Sequence, residues 1–335
     1  MSHRIAINGF GRIGRMVLRA LIETNRTDME VVAINDLADA KALARLLKYD
    51  SVHGKFHADV SATDDSITVN GKTIVVTGER DPENLPWKAH NIDIVMECTG
   101  FFLTQELAGK HLKAGAKRVL ISAPAKDDSK TIVYGINHET ITKDDTVISN
   151  ASCTTNALAP LASLLHNTYG IESGMMTTIH AYTGDQPSHD SVHRDPYRGR
   201  ASALSMVPTS TGAAKAISRV IPELEGVLDG VAIRVPVPNV SAVDLCVNLK
   251  KETTIEDVQK LFKDAANGPL NGILGYVDDK LVSTDFNHDP HSTSFVEDGV
   301  YVNNGTMLRV LSWYDNEWGF SNRMLDTASV IGQYL

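Results

Sequence analysis

Apolar positions in the first 150 residues alternate between two periods. Ile5-Ala6-Ile7 is a short continuous apolar run, as in a strand covered on both faces. Ile13, Val17, Ala20 and Leu21 then recur at helical spacing, and Glu30-Val31-Val32-Ala33-Ile34-Asn35 returns to strand. The rhythm resumes with Ile92-Asp93-Ile94-Val95-Met96-Glu97-Cys98-Thr99-Gly100, a helical stretch over 105–114, and the strand Arg118-Val119-Leu120-Ile121-Ser122. This succession predicts an α/β domain with a doubly wound, mostly parallel sheet. One insertion interrupts it. Ile67-Thr68-Val69 and Thr73-Ile74-Val75-Val76 flank Asn70-Gly71, which predicts an antiparallel hairpin with a type I′ turn.

Beyond residue 150 the strand-like runs lengthen and alternate: 174–180, 230–236, 242–247 and 307–313. They predict a second, α+β domain on a mostly antiparallel sheet. Thr253-Thr254-Ile255-Glu256 reads as a capping box, opening a helix with Ile255, Val258, Leu261, Phe262 and Ala265 inward. The last helix is expected to start near Asp315 and to keep its apolar stripe almost to Leu335. The expected division is a first domain over 1–151, completed by a C-terminal helix over 316–335, and a second over 152–315. Within the second, the polar stretch 183–202 reads as one long loop, and structureless loops of that length are usually functional.

Gly9-Phe10-Gly11-Arg12-Ile13-Gly14 lies between the first strand and the first helix, and Asp36 follows Gly14 by 22 residues at the end of the second strand. That context makes Gly9, Gly11 and Gly14 a dinucleotide-binding fingerprint. The glycines permit a tight turn, close approach of a pyrophosphate and helix–strand packing. Asp36 bonds both ribose hydroxyls and repels a 2′-phosphate, which points to NAD. Thr99, Gly100 and Ser122 end parallel strands, where ligands of open α/β sheets gather; an ordinary strand-to-loop junction reads the same way.

Thr146-Val147-Ile148 feeds into Ser149-Asn150-Ala151-Ser152-Cys153-Thr154-Thr155-Asn156, and a helical pattern follows. Ser152 is a good N-cap, so Cys153 is expected in the first turn, where free N–H groups and the helix dipole lower a thiol pKa and hold an oxyanion. The alternative is a buried structural cysteine. His180, at a strand end before the polar loop, is the candidate base; as imidazolium it would lower the thiol pKa further. A dinucleotide domain with a nucleophilic cysteine points to oxidation of an aldehyde through a hemithioacetal and a thioester.

Composition narrows the field. The chain has 335 residues and a net charge of −9, against general affinity for nucleic acid. Cys98, Cys153 and Cys246 are an odd set without CxxC spacing, so neither disulfides nor zinc are expected. His288-Asp289-Pro290-His291 lacks a third ligand and helical register, and no metal is expected. Neither a signal peptide nor an apolar run near 18 residues is evident, so a cytoplasmic protein without a membrane segment is expected.

Residues 6–15, 149–156, Pro208-Thr209-Ser210-Thr211-Gly212-Ala213-Ala214-Lys215 and Trp313-Tyr314-Asp315-Asn316-Glu317 closely resemble the glyceraldehyde-3-phosphate dehydrogenases, and the resemblance spans essentially the whole chain. It implies a phosphorylating, NAD-dependent, glycolytic enzyme, usually a homotetramer, acting on glyceraldehyde 3-phosphate and inorganic phosphate. It implies Cys153 as nucleophile and His180 as base. Ser152, Thr154, Thr211 and Gly212 would receive inorganic phosphate, with Arg198 bridging to the substrate, and Thr183, Asp185 and Arg234 would clamp the sugar phosphate. Arg12, Ile13, Asp36, Arg80, Thr99, Ser122 and Asn316 would contact NAD. The loop from Thr183 resembles the family's S-shaped loop, which packs between subunits. Tyr197, Gly199 and Ser191-Val192 depart from the common pattern, while Trp318 and Phe320 resemble the related erythrose-4-phosphate dehydrogenases. The alternatives are therefore that activity, or a non-catalytic NAD-binding scaffold or adhesin.

Overall fold

A computed structural model describes residues 2–335, which divide into two compact units. One runs to Tyr134, takes up again over His138–Ala151 and is completed by Ser321–Leu335; the other comprises Gly135–Asn137 and Ser152–Phe320.

The first unit begins β1 (His3–Asn8), α1 (Arg12–Glu23), β2 (Met29–Asn35), α2 (Ala40–Lys48), and the small pair β3 (Tyr49–Asp50) and β4 (Gly54–Lys55). It continues through β5 (Val60–Ala62), β6 (Ser66–Val69), β7 (Lys72–Thr77), β8 (Ile94–Glu97), α3 (Gln105–Ala108), α4 (Lys110–Lys113), β9 (Arg118–Ile121), β10 (Lys130–Thr131) and β11 (Val147–Ser149). Nine of these strands form one sheet in the order β10-β11-β9-β8-β1-β2-β7-β6-β5. It is parallel except at its β7-β6-β5 edge, which contains the predicted hairpin β6–β7, where Asn70 (φ 49°) and Gly71 (φ 79°) supply the two left-handed residues of a type I′ turn. The central strands are apolar throughout because helices cover both faces: Ile5, Ala6, Ile7, Ile94, Val95 and Met96 are wholly buried. Register sets three polar residues side by side at the carboxyl ends of β1, β2 and β8, with Asn8 opposite both Asn35 and Glu97. The helical stretch over 105–114 is two single turns meeting at Gly109, not one helix.

The second unit contains α5 (Cys153–Tyr169), β12 (Ile171–Ala181), β13 (Val207–Ser210), α6 (Ala213–Ala216), β14 (Leu228–Val235), β15 (Ser241–Leu249), α7 (Ile255–Ala266), β16 (Leu274–Val277), β17 (Thr293–Val296), β18 (Tyr301–Asn303) and β19 (Met307–Tyr314). Its sheet runs β13-β14-β12-β15-β19-β17-β16, with β18 on β19. Pairing is antiparallel except at β12–β14 and β16–β17. One expectation is corrected. The cap of α7 is Thr254, whose Oγ1 accepts from Asp257 N–H at 3.1 Å, so the capping pair lies one residue later than predicted and Ile255 is exposed. The final helix α8 (Trp318–Gly332) begins close to Asp315, as expected, and that carboxylate holds its entry, accepting from Glu317 N–H at 2.9 Å and Trp318 N–H at 2.7 Å.

The glycine turn between β1 and α1 is built by two close approaches. Gly9 has φ 88°, and a Cβ there would lie 2.8 Å from Thr99 N; at Gly14 a Cβ would lie 2.2 Å from Gly9 O. At Gly11 a Cβ would meet nothing within 4 Å. Gly14→Ala should therefore cost roughly 1–3 kcal/mol of stability by overpacking, read from denaturant midpoints, whereas Gly11→Ala should leave the midpoint unchanged.

Candidate active site

Cys153 is the first residue of α5. Ser152 caps that helix, its Oγ accepting from Thr155 N–H at 3.0 Å, and Ser152 O accepts from Asn156 Nδ2 at 2.9 Å. The residue before the cap, Ala151, takes φ 58°, a left-handed conformation that sequence pattern does not disclose.

His180 stands next to last in β12, and its Nε2 lies 3.5 Å from Cys153 Sγ. Parallel register sets His180 opposite Arg234 of β14. The imidazole Nδ1 is 2.7 Å from Ala181 O, so an Nδ1–H directed there leaves the Nε2 lone pair facing the thiol. Arg234 Nη1 donates to Ala181 O at 3.0 Å and to Thr183 Oγ1 at 3.1 Å, and lies 3.0 Å from His180 Nδ1. Burial, then the Arg234 charge, lower the His180 pKa to about 3. Burial raises the Cys153 thiol, while Arg234 and the N–H groups of Cys153 and Thr154 pull it back. Burial thus opposes charge on the imidazole and on the thiol alike, while the Arg234 guanidinium opposes it on the imidazole and favours it on the thiol.

Four of the predicted phosphate residues, Arg234, Thr183, Asp185 and Arg198, form one hydrogen-bonded chain. Thr183 Oγ1 donates to Asp185, and Arg198 Nη1 donates to the other Asp185 oxygen at 2.9 Å. Arg198 Nε reaches Thr209 Oγ1 at 3.0 Å, and Thr209 donates to Asp195 at 2.9 Å. Thr211 and Gly212 follow the end of the same strand, β13; Thr211 Oγ1 accepts from Ala213 N–H at 3.2 Å, and Gly212 is exposed. Arg234 Nε is buried without a hydrogen-bond partner, and a tetrahedral oxyanion would satisfy it. The Thr154 hydroxyl is 2.9 Å from Tyr314 OH, which also lies 2.9 Å from Thr178 Oγ1. The Tyr314 ring meets His180 edge-on at 5.9 Å. Tyr314, Thr178 and Thr209 are the site residues that sequence reasoning missed; alternation on β12, which puts Thr178 on the His180 face, was the available signal. Asn316 Oδ1 accepts from Ser241 Oγ at 2.8 Å, and Ser241 Oγ accepts from Ala181 N–H at 3.0 Å, so Asn316 is tied to the His180 strand end.

In the first unit a cleft of about 360 Å³ opens at the carboxyl ends of the parallel strands. Gly9, Gly11, Asp36, Arg80 and Thr99 line it, as do the exposed side chains of Leu37 and Phe101. Asp36 already holds the glycine turn, accepting from Phe10 N–H at 2.8 Å and Ala38 N–H at 3.0 Å. The open space at Gly11 admits a pyrophosphate against backbone, and the apolar Leu37 and Phe101 offer faces to a planar base, so the cleft fits a dinucleotide. Gly14, Ile13, Gly100 and Ser122 lie outside its lining, and Arg12 is paired with Asp50. Gly199, a departure from the common alanine, has a structural reason: a Cβ there would lie 2.5 Å from Ser191 O. Trp318, another departure, is buried and stacks on His288 with 3.5 Å between ring centroids.

Burial raises all three thiols, Cys98 to about 12, but only Cys153 faces an imidazole and a guanidinium. Limiting iodoacetamide should therefore label Cys153 first, as mapped by mass spectrometry. Arg234→Gln should move the pH midpoint of that labelling upward, because removing the cation raises the thiol pKa. His180→Asn should slow labelling at neutral pH by removing the proton acceptor.

Residues 3–105 match the family model described as the NAD binding domain of glyceraldehyde 3-phosphate dehydrogenase, and residues 152–316 match its C-terminal domain. The chain is 59% identical over 335 residues to a glyceraldehyde-3-phosphate dehydrogenase of Cereibacter sphaeroides, covering 100% of both chains. It is 57% identical to one of Xanthobacter flavus over 99% of both, and 54% identical to one of Geobacillus stearothermophilus over 99% of this chain and 98% of the other. With matches of this extent to both halves, the chain belongs to the glyceraldehyde-3-phosphate dehydrogenase family.

Proposed function

We propose that this chain oxidises D-glyceraldehyde 3-phosphate to 1,3-bisphosphoglycerate with inorganic phosphate, reducing NAD. The observation that carries the reading is the Cys153–His180 pair within one hydrogen-bonded chain with Arg234, Thr183, Asp185 and Arg198. Gly9, Gly11, Asp36, Arg80 and Thr99 would hold NAD, which when bound supplies an acceptor for the hydride leaving the aldehyde carbon.

His180 Nε2 takes the thiol proton as Sγ bonds to the aldehyde carbon, then returns it to the new oxyanion, giving a hemithioacetal. As the hydride leaves, His180 removes the hydroxyl proton and a Cys153 thioester remains. A phosphate oxygen then bonds to the acyl carbon, the C–S bond breaks, and His180 reprotonates the sulfur. Arg234 and Thr183 are suited to the substrate's phosphate and Arg198 to the attacking phosphate, since a dianion leaving water needs guanidinium and hydroxyl donors.

Assembly as a homotetramer is part of the proposal. Met175 and Ile179 of β12 and Val231 and Ile233 of β14 are exposed apolar side chains on neighbouring strands, and Leu204 and Met206 add to them on the adjoining loop. A patch of this kind is usual at an interface and costly in a monomer. Sedimentation should give about four times the chain mass of 36.4 kDa. Among the described residues no helix is long and apolar enough to cross a membrane, and a cytoplasmic location is proposed.

The deciding assay follows NAD reduction with glyceraldehyde 3-phosphate, with and without inorganic phosphate. Turnover should depend strongly on phosphate and be far more efficient than with erythrose 4-phosphate; phosphate-independent oxidation of the four-carbon sugar would overturn the reading. Cys153→Ser should abolish turnover, and His180→Asn should lower it by about 10²–10⁴. Thr183→Ala should chiefly raise KM for the sugar phosphate and Thr211→Ala chiefly that for inorganic phosphate. Asp36→Gly should relax the preference for NAD over NADP.

A further inference from the structure

We propose that Glu97 is a positioning residue of the cofactor cleft, acting through Asn8 and Thr99 from a sealed polar network behind it; the proposal rests on reading the cleft as the NAD site. Glu97 is 1% exposed at the end of β8. Its Oε2 accepts from Asn8 Nδ2 at 2.5 Å and lies 3.0 Å from His111 Nε2, and its Oε1 accepts from Thr99 N–H at 2.8 Å and from Thr99 Oγ1. Asn8 and Thr99 both line the cleft. Asn8 Oδ1 in turn accepts from Asn35 Nδ2 at 2.7 Å, and Asn35 Oδ1 accepts from Glu79 N–H at 2.9 Å; these two residues line the cleft as well. One buried carboxylate thus anchors polar groups drawn from three strand ends and from the loop after β7.

The far side of the network fixes which species fits. Trp87 is wholly buried, and its Nε1, 2.9 Å from His111 Nδ1, can only donate. His111 Nδ1 is therefore an acceptor, its proton sits on Nε2, and that proton is given to Glu97. Every group that reaches Glu97 is a donor: an amide, an imidazole N–H, a backbone N–H and a hydroxyl. Only a carboxylate accepts from all of them, and an isosteric amide would set N–H against N–H at the Asn8–His111 end. The His111 ring also meets Phe102, another cleft residue, edge-on at 6.2 Å, so a displaced imidazole would be felt in the cleft wall.

The logic prescribes a rescue. In Glu97→Gln the amide faces a protonated Nε2, and the Kd and KM for NAD should rise roughly tenfold, with kcat changing by less than about threefold. Adding Trp87→Phe removes the indole donor, so His111 can shift its proton to Nδ1 and accept from the new amide. The double variant should regain most of the lost affinity although it carries one more substitution. NAD Kd by titration, steady-state KM and kcat, and melting temperature would be measured for wild type, Glu97→Gln, Trp87→Phe and the double variant. A purely structural role predicts lowered melting temperatures with unmoved Kd and no rescue, and that result overturns the proposal. If Glu97→Gln alone yields no folded protein, a folded, NAD-binding double variant supports the network, whereas a double variant equally unfolded overturns it. Failure of wild type to bind NAD would instead sink the reading of the cleft.

Discussion

A guanidinium held largely out of water governs the catalytic unit. Arg234 spends its hydrogen bonds on a carbonyl and a hydroxyl, with a ring nitrogen close by, so its charge is left for what comes to it. It adds to burial in opposing charge on His180, draws the Cys153 thiol pKa down against the effect of burial, and leaves Nε aimed at no protein acceptor. One half-buried cation thus couples nucleophile, base and anion pocket. Its position follows from register alone, because parallel pairing of β12 and β14 puts His180 opposite Arg234.

Local grammar made much of this legible beforehand. A strand, three glycines, a helix and an acid at the next strand end describe a dinucleotide turn because each residue answers a short-range demand, and the close approaches at Gly9 and Gly14 bear that out. The same holds for the Asn70-Gly71 turn and for Ser152 as a cap. Where two adjacent residues could serve, local grammar failed: Thr253 and Thr254 are equivalent on paper, and only the path of the chain selects the second.

What the sequence could not disclose depends on pairing between distant strands. Tyr314 bridges Thr154 and Thr178 because β12 and β19 flank β15, and no spacing within one segment announces it. The electrostatic setting of Cys153 and His180 stayed hidden for a related reason. A helix N-terminus and a neighbouring imidazole are visible in sequence, but the depth of burial and the nearby guanidinium are not. Glu97 is the extreme case: within its strand it reads as a charge at an end, and three strands must come together before it becomes the common acceptor of a polar cluster.

The carboxylate of Asp185 is shared between Thr183 on one side and Arg198 on the other. On the proposed assignment, those two residues serve different anions, so each anion arrives at a group whose partner is already committed across the same bridge. An anion that draws Arg198 away from Asp185 changes the acceptor that holds Thr183, and the reverse holds equally. Thermodynamic reciprocity then binds the two events: whatever factor the sugar phosphate imposes on the affinity for inorganic phosphate, inorganic phosphate imposes on the affinity for the sugar.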